Sequence, residues 1–422
     1  MNIPTNELTS RPTHEITLDN GLKIIVREDH RNPEFCSTVV YCVGDSYENP
    51  EEWGLGSLLL YSLFDGYERE TALAKELGGS STGWGGENLS QVVRLPREHL
   101  ETAFEIQSSI MTKDLQDEVI RRYLDLMILR SKKKSMFVSA ISFSPELEAL
   151  IEVGTSYYRP PEGITANLER LTVEQVKQWH KTWYGPNNAV LSIAGDITPD
   201  EVKFLAEKHF GSIPKCDAPH RPVARGPSAP GYRRITQHLD TSYPLMLIVF
   251  NTPSATATDH QTVRALQVIG ALLSQATPAH LTTIGQNPAL IRSNSHRYQR
   301  GDARLSFAYY FDGDPDEAEA GFWRLLEEVR STPLSLADIE QAIDTVSTER
   351  QRAYDDIGAQ SELIAMLAGN GYPWQLLDLE VAQLRSVTPA DIQYAVQTCL
   401  TRDRVSVGHI FPVTQESGDI EE

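Results

Sequence analysis

Two stretches of this 422-residue chain end in the same way. Residues 172-TVEQVKQWHKTWY-184 read as a helix behind a threonine cap, and 188-NAVLSIAGDI-197 as the strand that follows it. Near the C-terminus 388-TPADIQYAVQTCL-400 and 404-RVSVGHIF-411 repeat that order. A recurring helix-then-strand ending marks an internal duplication, which restricts the fold to two copies of one unit. Length agrees, because a chain of this size outgrows one core and divides into domains of roughly 200 residues. The segment 214-PKCDAPHRPVARGPSAPG-231 concentrates proline and glycine with no apolar period and reads as the linker. The expected domains are therefore 1–213 and 232–422, joined by 214–231.

Within the first half, TLDNG at 17–21 is a turn, followed by strands at 22–29 and 35–44 and a helix at 54–64. A glycine-rich stretch at 78–88 precedes a strand at 89–96, and one long amphipathic helical region covers about 97–134. Helices at 172–184 and 199–211 flank the strand at 188–197. The second half offers strands at 232–239 and 243–251, a helix at 259–274, a strand pair around 293–312, helices at 315–331, 335–355 and 388–400, and a last strand at 404–411. Strands and helices in this non-alternating order predict an α+β fold: two homologous domains, each a mainly antiparallel β-sheet with helices packed on one face.

Charge excludes some functions. A net charge of −20 opposes nucleic acid as a partner. The N-terminus has no cationic start followed by an apolar stretch, and the run 245-LMLIVF-250 has strand length, too short to span a bilayer, so no membrane role is expected. Cys36 and Cys42 sit six positions apart on one extended strand, too distant to bond to each other, and nothing suggests a disulfide framework. A reducing cytoplasm is the expectation. None of the eleven histidines stands in an H-x-x-E-H, H-E-x-x-H or H-x-H pattern. The glycines at 78–86 lack the strand-before, helix-after setting of a phosphate loop, and no cofactor is predicted.

The phrases 17-TLDNGLKIIVREDHRNP-33, 54-GLGSLLLYSLFDG-66, 77-LGG-79, 183-WYGPNNAVLSIAGDITPDEV-202, 314-DPDEAEAGFWRLLEEV-329, 367-LAGNGYP-373 and 384-LRSVTPADIQYA-395 follow one another along nearly the whole chain. In order and spacing they resemble the pitrilysin, insulysin and mitochondrial processing peptidase family. That family carries G-L-A-H-x-x-E-H-x-L-F-x-G on its first helix, where two histidines bind zinc and the glutamate activates water. The resemblance places Ser57, Leu60 and Tyr61 at those three positions. It places Met127 and Ile128, within 122-RYLDLMIL-129, where the family's third ligand lies on a distal helix. A mono-zinc site needs three protein ligands, so the resemblance implies a non-catalytic member with no zinc. Ser57 and Tyr61 share a helix face and are expected to bond to each other or to fill the vacated space.

Two further departures follow from the same alignment. The family's substrate-holding arginine and tyrosine fall on His280 (or Ala279) and Arg292, with Tyr298 nearby as another candidate contact to a peptide carbonyl. The family's peptide-binding strand falls on 77-LGGSSTGWGGEN-88, where five glycines between 78 and 86 disfavour a regular strand.

The resemblance implies an inactive subunit that completes a closed peptide chamber for a homologous, zinc-bearing catalytic partner and contributes contacts to the peptide, with a homodimer as a substitute in isolation. Three alternatives stay open: a structural protein like the core subunits of the respiratory cytochrome bc complex, a binding protein for a peptide precursor, and a hydrolase using other residues.

Overall fold

The elements follow the caps and turns that the chain writes for them. The structure is a computed structural model and describes residues 11–65, 80–84, 88–132, 145–153, 155, 157, 163–220, 229–255, 260–275, 294–295, 298, 300–311, 313–331 and 334–413. The first half holds β1 (Thr13–Thr17), β2 (Lys23–Glu28), β3 (Glu34–Tyr41), α1 (Leu55–Leu63), β4 (Ser80–Trp84), β5 (Leu89–Pro96), α2 (Leu100–Thr112), α3 (Asp117–Lys132), α4 (Pro145–Ile151), α5 (Thr165–Leu168), α6 (Val173–Trp183), β6 (Ala189–Gly195) and α7 (Pro199–Phe210). The second half holds β7 (Arg233–Leu239), β8 (Leu245–Thr252), α8 (His260–Gln275), β9 (Asn294–Ser295), β10 (Ala303–Tyr310), α9 (Pro315–Ser331), α10 (Leu336–Asp355), α11 (Ile357–Gly369), α12 (Leu376–Leu384), α13 (Pro389–Cys399) and β11 (Val405–Pro412).

The duplication is visible in both caps and topology. Thr172 opens α6 with its side chain accepting from the Gln175 amide, and Thr388 opens α13 with its side chain accepting from the Asp391 amide. In each case the residue three positions on closes a capping box. One sheet runs β1-β2-β6-β3-β5-β4 and the other β7-β11-β8-β10-β9. Omitting β1, the orders correspond strand for strand. Each sheet is antiparallel except for one parallel pair, β2 with β6 and β11 with β7. The α+β expectation of mainly antiparallel sheets with helices holds.

Two local expectations are corrected. The helical region at 97–134 is two helices, because Lys113 leaves the helical backbone at ψ 125°. The glycine-rich segment does form a strand: Ser80–Trp84 pairs antiparallel with Ser90–Arg94 at the sheet edge. Glycine weakens a strand, but here a full ladder along one side sets its path.

Helices cover one face of each sheet, with one addition. Strands β3, β6 and β8 are buried along almost their whole length, so their second faces are covered too. On β8, Met246, Ile248 and Phe250 join the core that holds Phe307 and Phe322, while Leu245, Leu247 and Val249 pack with Leu147 and Ile151 of α4. On β3, Phe35, Val39 and Tyr41 enter the main core, while Cys36 packs with Val92, Ala194 and Ile357 of α11. Ser361 of α11, fully buried, donates to Thr38 Oγ1 at 2.8 Å or to the Ser192 carbonyl at 3.0 Å. A Cβ on Gly369 would stand 2.9 Å from the Val40 side chain, so the helix lies close against the strand.

These covering helices cross the halves of the chain. One compact unit comprises residues 1–133, 159–223 and 349–381, the other 134–158, 224–348 and 382–422. The first half thus lends α4 to the second unit, and the second half lends α11 and α12 to the first. Arg27, 3% exposed, is held at 2.5 Å by Asp378 of α12. Arg94 bridges Glu34 and Asp356, the residue that caps α11. Among the described residues no helix is long and apolar enough to cross a membrane.

The exchange makes the halves interdependent. Fragments 1–213 and 232–422 expressed separately are expected to be unfolded or insoluble, and to recover helical circular dichroism and co-purify when expressed together. A fragment 1–213 that gives a cooperative thermal transition alone would contradict this.

Candidate functional site

Helix α1 is anchored at both ends by side chains from other segments. Gly54 opens it at φ 102°, a left-handed conformation that glycine adopts without cost. The Glu48 carboxylate accepts from the amides of Gly54 at 3.0 Å and Gly56 at 2.5 Å, satisfying two of the donors that a helix N-terminus leaves unpaired. At the other end Lys113 Nζ donates to the carbonyls of Leu63 at 2.5 Å and Asp65 at 2.8 Å. Leu55, Leu58, Leu59 and Leu63 are buried, which fixes the rotation of the helix.

That rotation puts Tyr61 toward α3. The Tyr61 ring stacks on Tyr123 with centroids 5.7 Å apart and planes within 16°. Arg130 lies 5.7 Å over Tyr61, and Arg122 lies 5.0 Å over Tyr123. Two phenol rings and two guanidiniums thus cluster in a stack across two helices. Asp65 accepts from Tyr123 Oη at 3.0 Å and pairs with Arg122. Burial and that carboxylate both push the Tyr123 phenol up. Met127 is 1% exposed, and Leu60, Tyr61 and Ile128 pack partly buried on the same core. Beside Leu60 remains a cavity of about 20 Å³, lined also by Asp45, Gly56, Trp179 and Tyr184, room for about one water molecule.

Chemically this pair of helices offers no imidazole, carboxylate or thiolate at positions 57, 60, 61, 127 and 128. Serine and tyrosine hydroxyls and a thioether are not the ligands that hold zinc at neutral pH, so the residues present do not fit that metal. Leu60 cannot take a proton from water. The Tyr61 ring packs partly buried against the core and on Tyr123.

Of the remaining candidates, His280 and Arg292 lie outside the described residues, and Tyr298 is partly buried in a turn. One other cluster of ligand-type side chains occurs among the described residues: Glu101 and Glu105 of α2 with His209 of α7. Glu101 already pairs with Lys208 and with His209 at 3.1 Å, a helix-end ion pair. The residues that sequence reading missed are Glu48, Lys113, Tyr123 and Arg130. An acid shortly before a helix is a usable signal for the first; the others act from a separate helix or its lead-in, and no local pattern announces them.

Burial pushes the Glu48 carboxyl up to about 7 against the two amide donors that favour its charged form. Its folded pKa lies above the unfolded one, so its favourable contribution is complete in acid, shrinks as pH rises above the unfolded value and is lost through about 7. The gap in thermal stability between wild type and Glu48→Gln is expected to narrow from pH 5 to pH 8, by at most about 3 kcal/mol; a constant gap in melting curves would contradict it.

Rebuilding the metal motif tests the reading of the stack. Ser57→His, Leu60→Glu and Tyr61→His together are expected to bind no stoichiometric zinc by elemental analysis and to show no peptidase turnover, since α3 supplies no third ligand. The variant is also expected to melt lower, losing roughly 1 kcal/mol from the aromatic pair and placing a new carboxylate beside Asp45 and Glu48. Turnover in this variant would refute the assignment.

Residues 170–346 match the family described as "Peptidase M16 inactive domain". The zinc protease PqqE of Helicobacter pylori is 23% identical, the match covering 88% of this chain and 89% of that protein. Human cytochrome b-c1 complex subunit 1, mitochondrial, is 26% identical over 47% of this chain and 42% of its own length. The crystal structure of a protease from Helicobacter pylori shares the fold, with a TM-score of 0.82 at 16% identity over 95% of this chain and all of that one.

Proposed function

From the premise that this chain is a homologue of the pitrilysin-type zinc proteases, we propose that it is the non-catalytic subunit of a two-subunit zinc peptidase, completing a peptide-enclosing chamber for a partner that carries the metal. The observation that carries this is the stack on α1 and α3: the helix frame is intact and externally anchored while each position that would hold or serve the metal has another residue. A fold kept in this state retains shape and surface, and shape can position a peptide for chemistry done elsewhere. Strand β4, which among the described residues pairs on one side only, is suited to take an extended peptide by strand addition.

The second reading is a structural subunit without peptidase business, favoured by the similarity to a protein that is by name a cytochrome b-c1 complex subunit. A cytoplasmic location belongs to the proposal and is supported by the lack of any disulfide among the described residues. His280, Arg292 and Tyr298 remain candidates for peptide contacts.

Purification of the native protein with its bound partners, followed by peptidase assay of each component and of the mixture, separates these readings. The expected result is no turnover from this chain alone and at least about tenfold more turnover from the partner when this chain is added. Recovery without any zinc-bearing homologue, or a partner equally active alone, would overturn the subunit reading.

A further inference from the structure

Helix α3 turns one side to α1 and leaves the other in solvent. Ile120 and Met127 are buried and Tyr123, Leu124 and Ile128 partly so, yet Leu126 and Leu129 are 41% and 52% exposed. Three positions apart, they lie on one stripe of the helix, with Arg122 between them on the same arc. Arg130 stands on one flank of the stripe and Arg121 and Lys132 on the other. From Arg121 to Lys132 the helix carries four bases and a single acid, Asp125, and Lys133 and Lys134 come next in the sequence. In a chain with 58 acidic and 38 basic residues this is a local reversal of sign.

The bases are held without being used up. Arg121 pairs with Asp117 along its own helix, Lys132 with Glu169 and Arg122 with Asp65. Exposed pairs of this kind contribute little to stability, so an incoming carboxylate exchanges into them at small cost. Arg130 and Arg122 lie over the Tyr61 and Tyr123 rings, and a guanidinium can take a carboxylate with two prongs.

We propose that this face of α3 docks an acidic amphipathic helix of a partner protein, its apolar side chains seated on Leu126 and Leu129 and its carboxylates on Arg121, Arg122 and Arg130. An apolar stripe with basic flanks also suits an anionic bilayer, but a chain of net charge −20 is repelled by that surface as a whole. The docked protein need not be a peptidase, so the face is testable whether or not the subunit role holds.

The test uses the full chain and a fluorescein-labelled designed helix of about five turns, with leucines on one stripe and glutamates beside them, read by fluorescence anisotropy. Wild type is expected to bind it, more weakly as salt rises. Leu126→Ser with Leu129→Ser, and separately Arg121→Ser with Arg130→Ser, are each expected to weaken binding at least about tenfold while leaving circular dichroism unchanged. A peptide with lysines in place of the glutamates is expected not to bind. Equal affinity in the variants, or no binding by wild type, overturns the proposal. So does a face used otherwise: sedimentation with phosphatidylcholine–phosphatidylserine vesicles, or dimerisation by light scattering, either one abolished by the Leu126→Ser, Leu129→Ser pair.

Discussion

Burial of the central strands on both faces is the constraint on which the rest of this structure depends. A strand such as β8, apolar at every position from Leu245 to Phe250, cannot rest one side against solvent. A single layer of helices leaves half of that surface wet. The chain resolves this reciprocally, sending α4 forward to the second sheet and bringing α11 and α12 back to the first. The polar fastenings at these seams, Ser361 to Thr38 and Ser192 and Arg27 to Asp378, then specify where each helix sits. Apolar packing supplies most of the energy, and buried hydrogen bonds and ion pairs supply register.

Much of this architecture was legible in the residues, and the parts that were not share a cause. The threonine caps at 172 and 388 and the apolar, β-branched runs of β3 and β8 are local signals, and the elements they announce are present. Helices α4, α11 and α12 have weaker local signatures, and what determines their place is a sheet formed by distant residues. The exchange across the halves is invisible to any window of sequence, because it is a statement about which face lacks a cover. The segment around β4 erred in the other direction: its glycines argue against a strand locally, yet pairing with β5 overrides them.

The candidate site shows the same division. That Ser57, Leu60 and Tyr61 lack metal chemistry follows from their side chains alone. What replaced that chemistry does not, since the Tyr61 ring finds its partner on another helix at Tyr123 and its cation at Arg130. Aromatic and guanidinium surfaces fill space and attract without directional coordination. They hold α1 against α3 by dispersion and electrostatics instead of by ligand bonds.

Glu48 and Lys113 explain how such an exchange is survivable. Each grips backbone groups of α1 at one end. The orientation of the helix is thus decoupled from the identity of its outward residues. Substitution at the outward positions therefore leaves both anchors of the helix in place, so this surface can change its chemistry while the scaffold beneath it keeps its shape.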